Sequence, residues 1–155
     1  MLSSVTVSSP GTYCLALSLP RTKRLTIGKL GRFLFEHGIY LYAGSALGPG
    51  GLAARLRHHC RSAPRPRWHV DYLRKHADPV AAFLRYAKCR EECRWAQMLR
   101  QIPILTGGPH GFGSSDCRCP GHLFFLGPGS TRELETRVGS FLPPHELTLL
   151  RPPTS

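Results

Sequence analysis

Two short strings, Gly11-Thr12-Tyr13 and Tyr42-Ala43-Gly44-Ser45, decide the reading of this chain, together with Arg55-Leu56-Arg57-His58-His59 just beyond the second. Gly11 opens a β-rich alternating run over 11–19 (GTYCLALSL), which reads as a strand. Residues 38–45 (GIYLYAGS) make a stronger strand, aromatic, β-branched and bounded by glycine. Gly48-Pro49-Gly50-Gly51 is a turn that leads into a helix over 52–61. On that helix Arg55 and His59 stand four apart and share a face, while Leu52 and Leu56 share the buried side. A strand that ends in Gly44-Ser45 and feeds a helix lets the backbone pass close to a phosphate.

Working outward, residues 1–10 are Ser/Val-rich and read as an N-terminal arm, and 20–23 as a turn. Short strands are expected over 24–30 and 32–35. Pro64-Arg65-Pro66 ends the first helix, because neither proline can donate a helical hydrogen bond. A second helix is expected over 68–76, a turn at Asp78-Pro79, a strand over 80–86 and a third helix over 90–102. Residues 106–121 read as a Gly/Pro/Ser loop, 122–126 as a strand, and 131–142 as an amphipathic helix capped by Ser130 or Thr131. A Pro-rich tail, 143–155, carries a short apolar stretch at 147–150. With no repeat and no clear linker, a single α+β domain over 11–142 is the expectation.

The 155 residues fit one compact domain, and 41% hydrophobic residues are enough for a core. Charge is lopsided: 21 Lys+Arg against 9 Asp+Glu, a formal net charge of +12. A folded domain this basic usually meets a polyanion, and arginine, which dominates here, is the better bidentate phosphate ligand. From Arg55 to Lys75 stand Arg55, Arg57, Arg61, Arg65, Arg67, Arg74 and Lys75 against one acid, Asp71, the best phosphate-backbone track. Trp68 within it stacks a base or, more commonly, anchors the helix. No apolar run approaches a membrane span, and the first residues lack the pattern of a secretory signal. Six scattered cysteines do not look like a disulfide framework, so a cytoplasmic protein with reduced thiols is expected.

Hydrolysis of a phosphodiester needs a base for water, a metal for the phosphate and a cation for the oxyanion. The third helix offers the carboxylate. Glu92, Trp95, Ala96 and Leu99 fall at i, i+3, i+4 and i+7, which puts Glu92 beside the apolar stripe. Glu91 is rotated by about 100° and should face solvent. A lone carboxylate holds Mg²⁺ loosely, with water and phosphate oxygens completing the shell.

In this order the strings resemble the GIY-YIG nuclease superfamily, over roughly residues 11–125. The resemblance implies a small twisted, mostly antiparallel sheet flanked by helices. It also implies a metal-dependent endonuclease that cleaves DNA, branched or damaged, in repair or recombination, with RNA as an alternative substrate. On that pattern Tyr13 is the general base or water-orienter, and Tyr42 supports the hydrogen-bond network. Arg55 binds the scissile phosphate, His59 hydrogen-bonds within the site, and Glu92 carries one Mg²⁺ or Mn²⁺. Arg57, Arg61, Arg65, Arg67 and Ser45 are candidate nucleic-acid contacts. Gly38-Ile39-Tyr40 spells the first motif literally but lies on the strand of the second, so it cannot serve; Tyr40 is at most auxiliary. Thr12 and Ala43 replace the motif isoleucines, and the chain contains no asparagine, which many members place near the site. The rival reading is a non-catalytic nucleic-acid-binding module that keeps the fold.

Three further signals remain. His69 and Asp71 form a second base or metal site, or else structural hydrogen bonds, the commoner outcome. Cys117-x-Cys119-x2-His122 supplies three zinc ligands where four are usual, so Cys60, Cys89 or Cys93 would have to complete the set; zinc is the minority reading, and with it a Cys-rich metal-binding regulator. The loop containing Ser115 and Asp116 is polar enough to flank a phosphate groove.

Overall fold

The computed structural model describes residues 8–62 and 65–150. Among the described residues eight strands and four α-helices follow in the order β1 (Gly11–Leu19), β2 (Lys23–Ile27), β3 (Gly31–Phe35), β4 (Gly38–Ala46), α1 (Gly51–Cys60), α2 (His69–Arg74), β5 (Asp78–Tyr86), α3 (Glu92–Arg100), β6 (Thr106–Gly107), β7 (Leu123–Gly127), α4 (Leu134–Arg137) and β8 (Glu146–Leu149). Six strands form one sheet, ordered β6-β7-β4-β1-β5-β8, and every pairing in it is antiparallel. β2 and β3 make a separate antiparallel hairpin. The fold is α+β, as expected. None of the helices among the described residues is long and apolar enough to cross a membrane.

Both faces of β1 are covered, which explains why its sequence is apolar almost throughout. By period two, Tyr13, Leu15 and Leu17 point to one side with Tyr40 and Tyr42 of β4. That side packs against Leu52 and Leu56 of α1, Val70 and Leu73 of α2, and Leu25, Ile27 and Phe35 of the hairpin. Cys14, Ala16, Leu41, Ala43 and Phe83 face the other way. They pack against Trp95, Ala96 and Leu99, the stripe of α3, and against Leu134 and Val138. Each large side chain so buried contributes about 1.5–3 kcal/mol.

The structure corrects the sequence reading in four places. Asp78-Pro79 is the start of β5 and not a turn: Pro79 pairs with Leu17 beyond a register shift, a place where a missing N–H is tolerated. The long helix expected over 131–142 is broken into single turns, 131–133, α4 and 139–141. Gly139 within it lowers helix propensity by about 1 kcal/mol relative to alanine. β6 rises from the loop expected over 106–121. Part of the stretch read as a tail, β8, is an edge strand on β5, with Leu147 opposite Phe83. Its backbone pairs along the edge that β5 would otherwise leave open. Residues 1–7 of the arm and 151–155 of the tail lie outside the described residues, as do 63 and 64 between α1 and α2.

Candidate functional site

At one end of the sheet Tyr13 lies opposite Gly44. A Cβ on Gly44 would collide with the Tyr13 hydroxyl, so the glycine is what lets the ring lie across β4. Tyr42 is the diagonal neighbour, its ring centroid 6.4 Å from that of Tyr13. α1 brings His59 down between them: Nε2 is 2.8 Å from the Tyr13 hydroxyl, and its ring stands edge-on to Tyr42. Tyr13, Tyr42 and His59 are all buried. The chain reaches this arrangement through Gly50 and Gly51, both at positive φ, after which the Leu52 amide donates to the Ser9 carbonyl at 3.0 Å. A Cβ on Gly51 would strike that same carbonyl, so the glycine sets how closely α1 approaches β1.

Burial dominates the protonation of this group. It pushes the Tyr13 hydroxyl up to about 12, while the Arg55 guanidinium, by charge and hydrogen bonding, pulls the other way. Tyr42 is pushed up further by the same burial. His59 lies well below its ordinary value, first through burial and then through the charge of Arg74. At neutral pH the pair is therefore a phenol and a neutral imidazole. His59 Nδ1 has no hydrogen-bond partner among the described residues. Arg55, one turn earlier on α1, rests over the Trp68 ring with its carbon 4.4 Å from the centroid. Arg67 approaches the same ring at 5.1 Å, so Trp68 anchors two arginines at the mouth of α1.

Glu92 arrives from the opposite layer, on the first turn of α3. Ser45 Oγ donates to Glu92 Oε2, and Arg90 Nε lies 3.5 Å from Oε1. Because Gly44 and Ser45 are adjacent, one points to the tyrosine side and the other to the α3 side, and the two layers meet at this strand end. The Glu92 charge reaches both tyrosine hydroxyls, pushing each upward. Ser45, read as a nucleic-acid contact, thus holds the carboxylate in this structure. Glu91 stands just before the helix and is only partly exposed, with Arg85 Nε 3.9 Å from its carboxylate; full solvent exposure was expected.

Asp71 is a different kind of group. It is buried and accepts from the Arg67 and Trp68 amides and from Arg74 Nε and Nη2, with His58 Nε2 at 3.1 Å. Burial raises its carboxyl, but those two amides and Arg74 more than offset this and leave it below the ordinary value. Its lone pairs are used up, so the trio His58, His59 and Asp71, although close together, is a hydrogen-bonded knot and not a metal site. Arg74 also donates to the His59 and Arg61 carbonyls at 2.7 Å each, which removes it from the exposed phosphate track. His69 Nδ1 accepts from the Gly113 amide at 2.9 Å, the structural role. Tyr40 donates to the Glu36 carbonyl at 2.7 Å and is not brought to Tyr13. Ser115 and Asp116 are exposed on the loop. Arg57, Arg61, Arg65 and Arg67 are exposed on the α1–α2 side.

The sequence reading had no signal for the Asp71–Arg74 knot beyond an i, i+3 pair, and none for Arg90. All six cysteines are free thiols; Cys93, on the first turn of α3, meets Cys117, Cys119 and His122.

A small antiparallel α+β domain with a buried Tyr–His pair, a nearby carboxylate and a basic flank is the class these features define. The chain matches the family model "Domain of unknown function DUF123" over residues 12–141 and belongs to that family. No curated protein and no solved structure matches it.

Proposed function

We propose that this chain is a GIY-YIG-type endonuclease that hydrolyses DNA phosphodiester bonds, acting on branched or damaged DNA in the cytoplasm during repair or recombination. The observation that carries the reading is the meeting of Tyr13, His59 and Arg55 with Glu92 at one strand end, drawn from three separate segments. The donor set suits a hard divalent ion: one carboxylate, Glu92, beside one hydroxyl, Ser45, with water and phosphate oxygens left to complete the shell. A bound Mg²⁺ or Mn²⁺ would supply charge neutralisation at the non-bridging phosphate oxygens. Arg55 binds the phosphate and stabilises the pentavalent oxyanion, leaving its place over Trp68 or reaching from it.

Tyr13 holds its proton at neutral pH, so it does not begin as phenolate. A relay balances the step: water gives a proton to the Tyr13 oxygen as Tyr13 passes its own to His59 Nε2. The water oxygen forms the new bond to phosphorus, and the bond to the leaving oxygen breaks, with solvent supplying that oxygen's proton. Depression of the His59 pKa keeps its imidazole neutral and able to accept. The exposed arginines 57, 61, 65 and 67 bind flanking phosphates.

Burial of the Tyr13–His59 pair favours the second reading, a module that binds nucleic acid without cutting it. Labelled duplex, single-strand, flap and junction DNA, with matched RNA, incubated with and without Mn²⁺, separates the two. Metal-dependent nicking lost in Glu92→Gln supports the enzyme. Binding without nicking on every substrate and metal supports the module.

A further inference from the structure

We propose that Cys93, Cys117, Cys119 and His122 form a structural zinc site. Their ligand atoms all lie within 4.8 Å of one another. His122 Nε2 is 3.5 Å from Cys117 Sγ and 3.8 Å from Cys93 Sγ. A tetrahedral ion with Zn–S near 2.3 Å and Zn–N near 2.0 Å sets S···N edges of about 3.5 Å and S···S edges of about 3.8 Å. The two S···N separations lie within about 0.3 Å of such an edge, and all the cysteines are free, with none joined in a disulfide. His122 is buried, and its Nε2 meets only the sulfurs of Cys93 and Cys117 among the described residues. Sulfur is a poor hydrogen-bond partner for a buried imidazole and a good co-ligand for zinc. The sequence showed three local ligands; the fold supplies the fourth from α3. Four protein ligands close the shell, the mark of a structural and not a catalytic ion.

The backbone around the site is already tied for this purpose. The His122 amide donates to the Phe112 carbonyl at 2.8 Å, and its own carbonyl accepts from Ala43 of β4 at 3.0 Å. Arg100 Nη2 donates to the Gly121 carbonyl at 2.9 Å. The same loop reaches the other layer, through Phe112 against Tyr42 and the Gly113 amide on His69. Zinc would therefore clip the first turn of α3 to a loop that touches both layers. The site does not depend on the catalytic reading.

Untagged protein from zinc-supplied cells should contain one zinc per chain by elemental analysis, and cobalt exchanged into it should give the intense thiolate-to-metal bands of a tetrahedral site. Cys117→Ser/Cys119→Ser should lose the metal, and Cys60→Ser/Cys89→Ser should keep it. Should the first variant not fold, the cobalt spectrum and zinc content of the parent decide the matter. Overturning results are a metal-free parent that shows no thiolate band with cobalt, an intact mass that reports a Cys93, Cys117 or Cys119 disulfide in the native protein, or zinc that disappears with Cys60 and Cys89 instead.

Discussion

Tyr13 and His59 depend on each other, and this sets what their substitution should do. Tyr13→Phe leaves a buried imidazole nitrogen without its partner and should cost about 1–3 kcal/mol in denaturant unfolding. If the relay operates, single-turnover cleavage by that variant should fall by about 10²–10⁴. Glu92→Gln keeps the shape and the Ser45 contact but removes the charge, so cleavage should fall by orders of magnitude while DNA binding persists or tightens. Glu91→Gln should cut like the parent; equal loss in both would move the metal away from Glu92. The pH dependence has a definite sign. The folded-state pKa of His59 lies below 6.5, its value in the unfolded chain, so its contribution is present above pH 6.5 and is lost as pH falls below it. Melting temperature should drop from pH 7 to pH 5, and His59→Gln should flatten that drop in part, since His69 and His76 shift in the same direction. At this scale the sequence was informative where spacing fixes direction. Arg55 and His59 share a helix face by period, and Glu92 lies beside Trp95 for the same reason. It was silent on Ser45 and Arg90 holding Glu92, because contacts between layers are not encoded in any local period.

Among the elements, α2 is built around a charge that must stay paired. Arg74 and Asp71 are both nearly inaccessible, at 3% and 0% side-chain exposure, and breaking such a pair leaves an uncompensated buried carboxylate. Arg74→Ala should therefore destabilise by about 3–5 kcal/mol by urea titration. The exposed arginines of the same region should behave differently. Neutralising Arg61, Arg65 and Arg67 together should leave unfolding nearly unchanged and flatten the salt dependence of DNA binding. An unaltered slope would remove this flank from the binding surface. Composition marked the region as basic but could not sort its members: seven cations look alike in sequence, and only packing shows that Arg74 is spent on carbonyls and Asp71. Strand boundaries were legible for β1 and β4, where glycine opens a run rich in β-forming residues. They were not for β5, whose Asp78-Pro79 imitates a turn, nor for β8, too short and proline-flanked to announce itself.

Across the whole molecule the sheet closes at β8, which covers the outer edge of β5. A chain ended after Pro144 would expose Ala81 to Leu84 as an open, apolar edge, and it should lose melting temperature and form soluble aggregates on size-exclusion chromatography. The antiparallel α+β class was readable from the order of periods, whereas the strand order was not, since pairing between distant segments leaves no mark in either. That order has a kinetic side. β1 sits at the centre, yet both of its partners come later in the chain, β4 beyond the hairpin and β5 beyond two helices. The hairpin of β2 and β3 can form early from neighbouring residues, but the central strand waits for two large loops to close. Folding should therefore be slow for a chain of this size, with the hairpin and helices forming ahead of the sheet. While β1 waits, its unpaired apolar backbone is the segment most in need of a chaperone's protection.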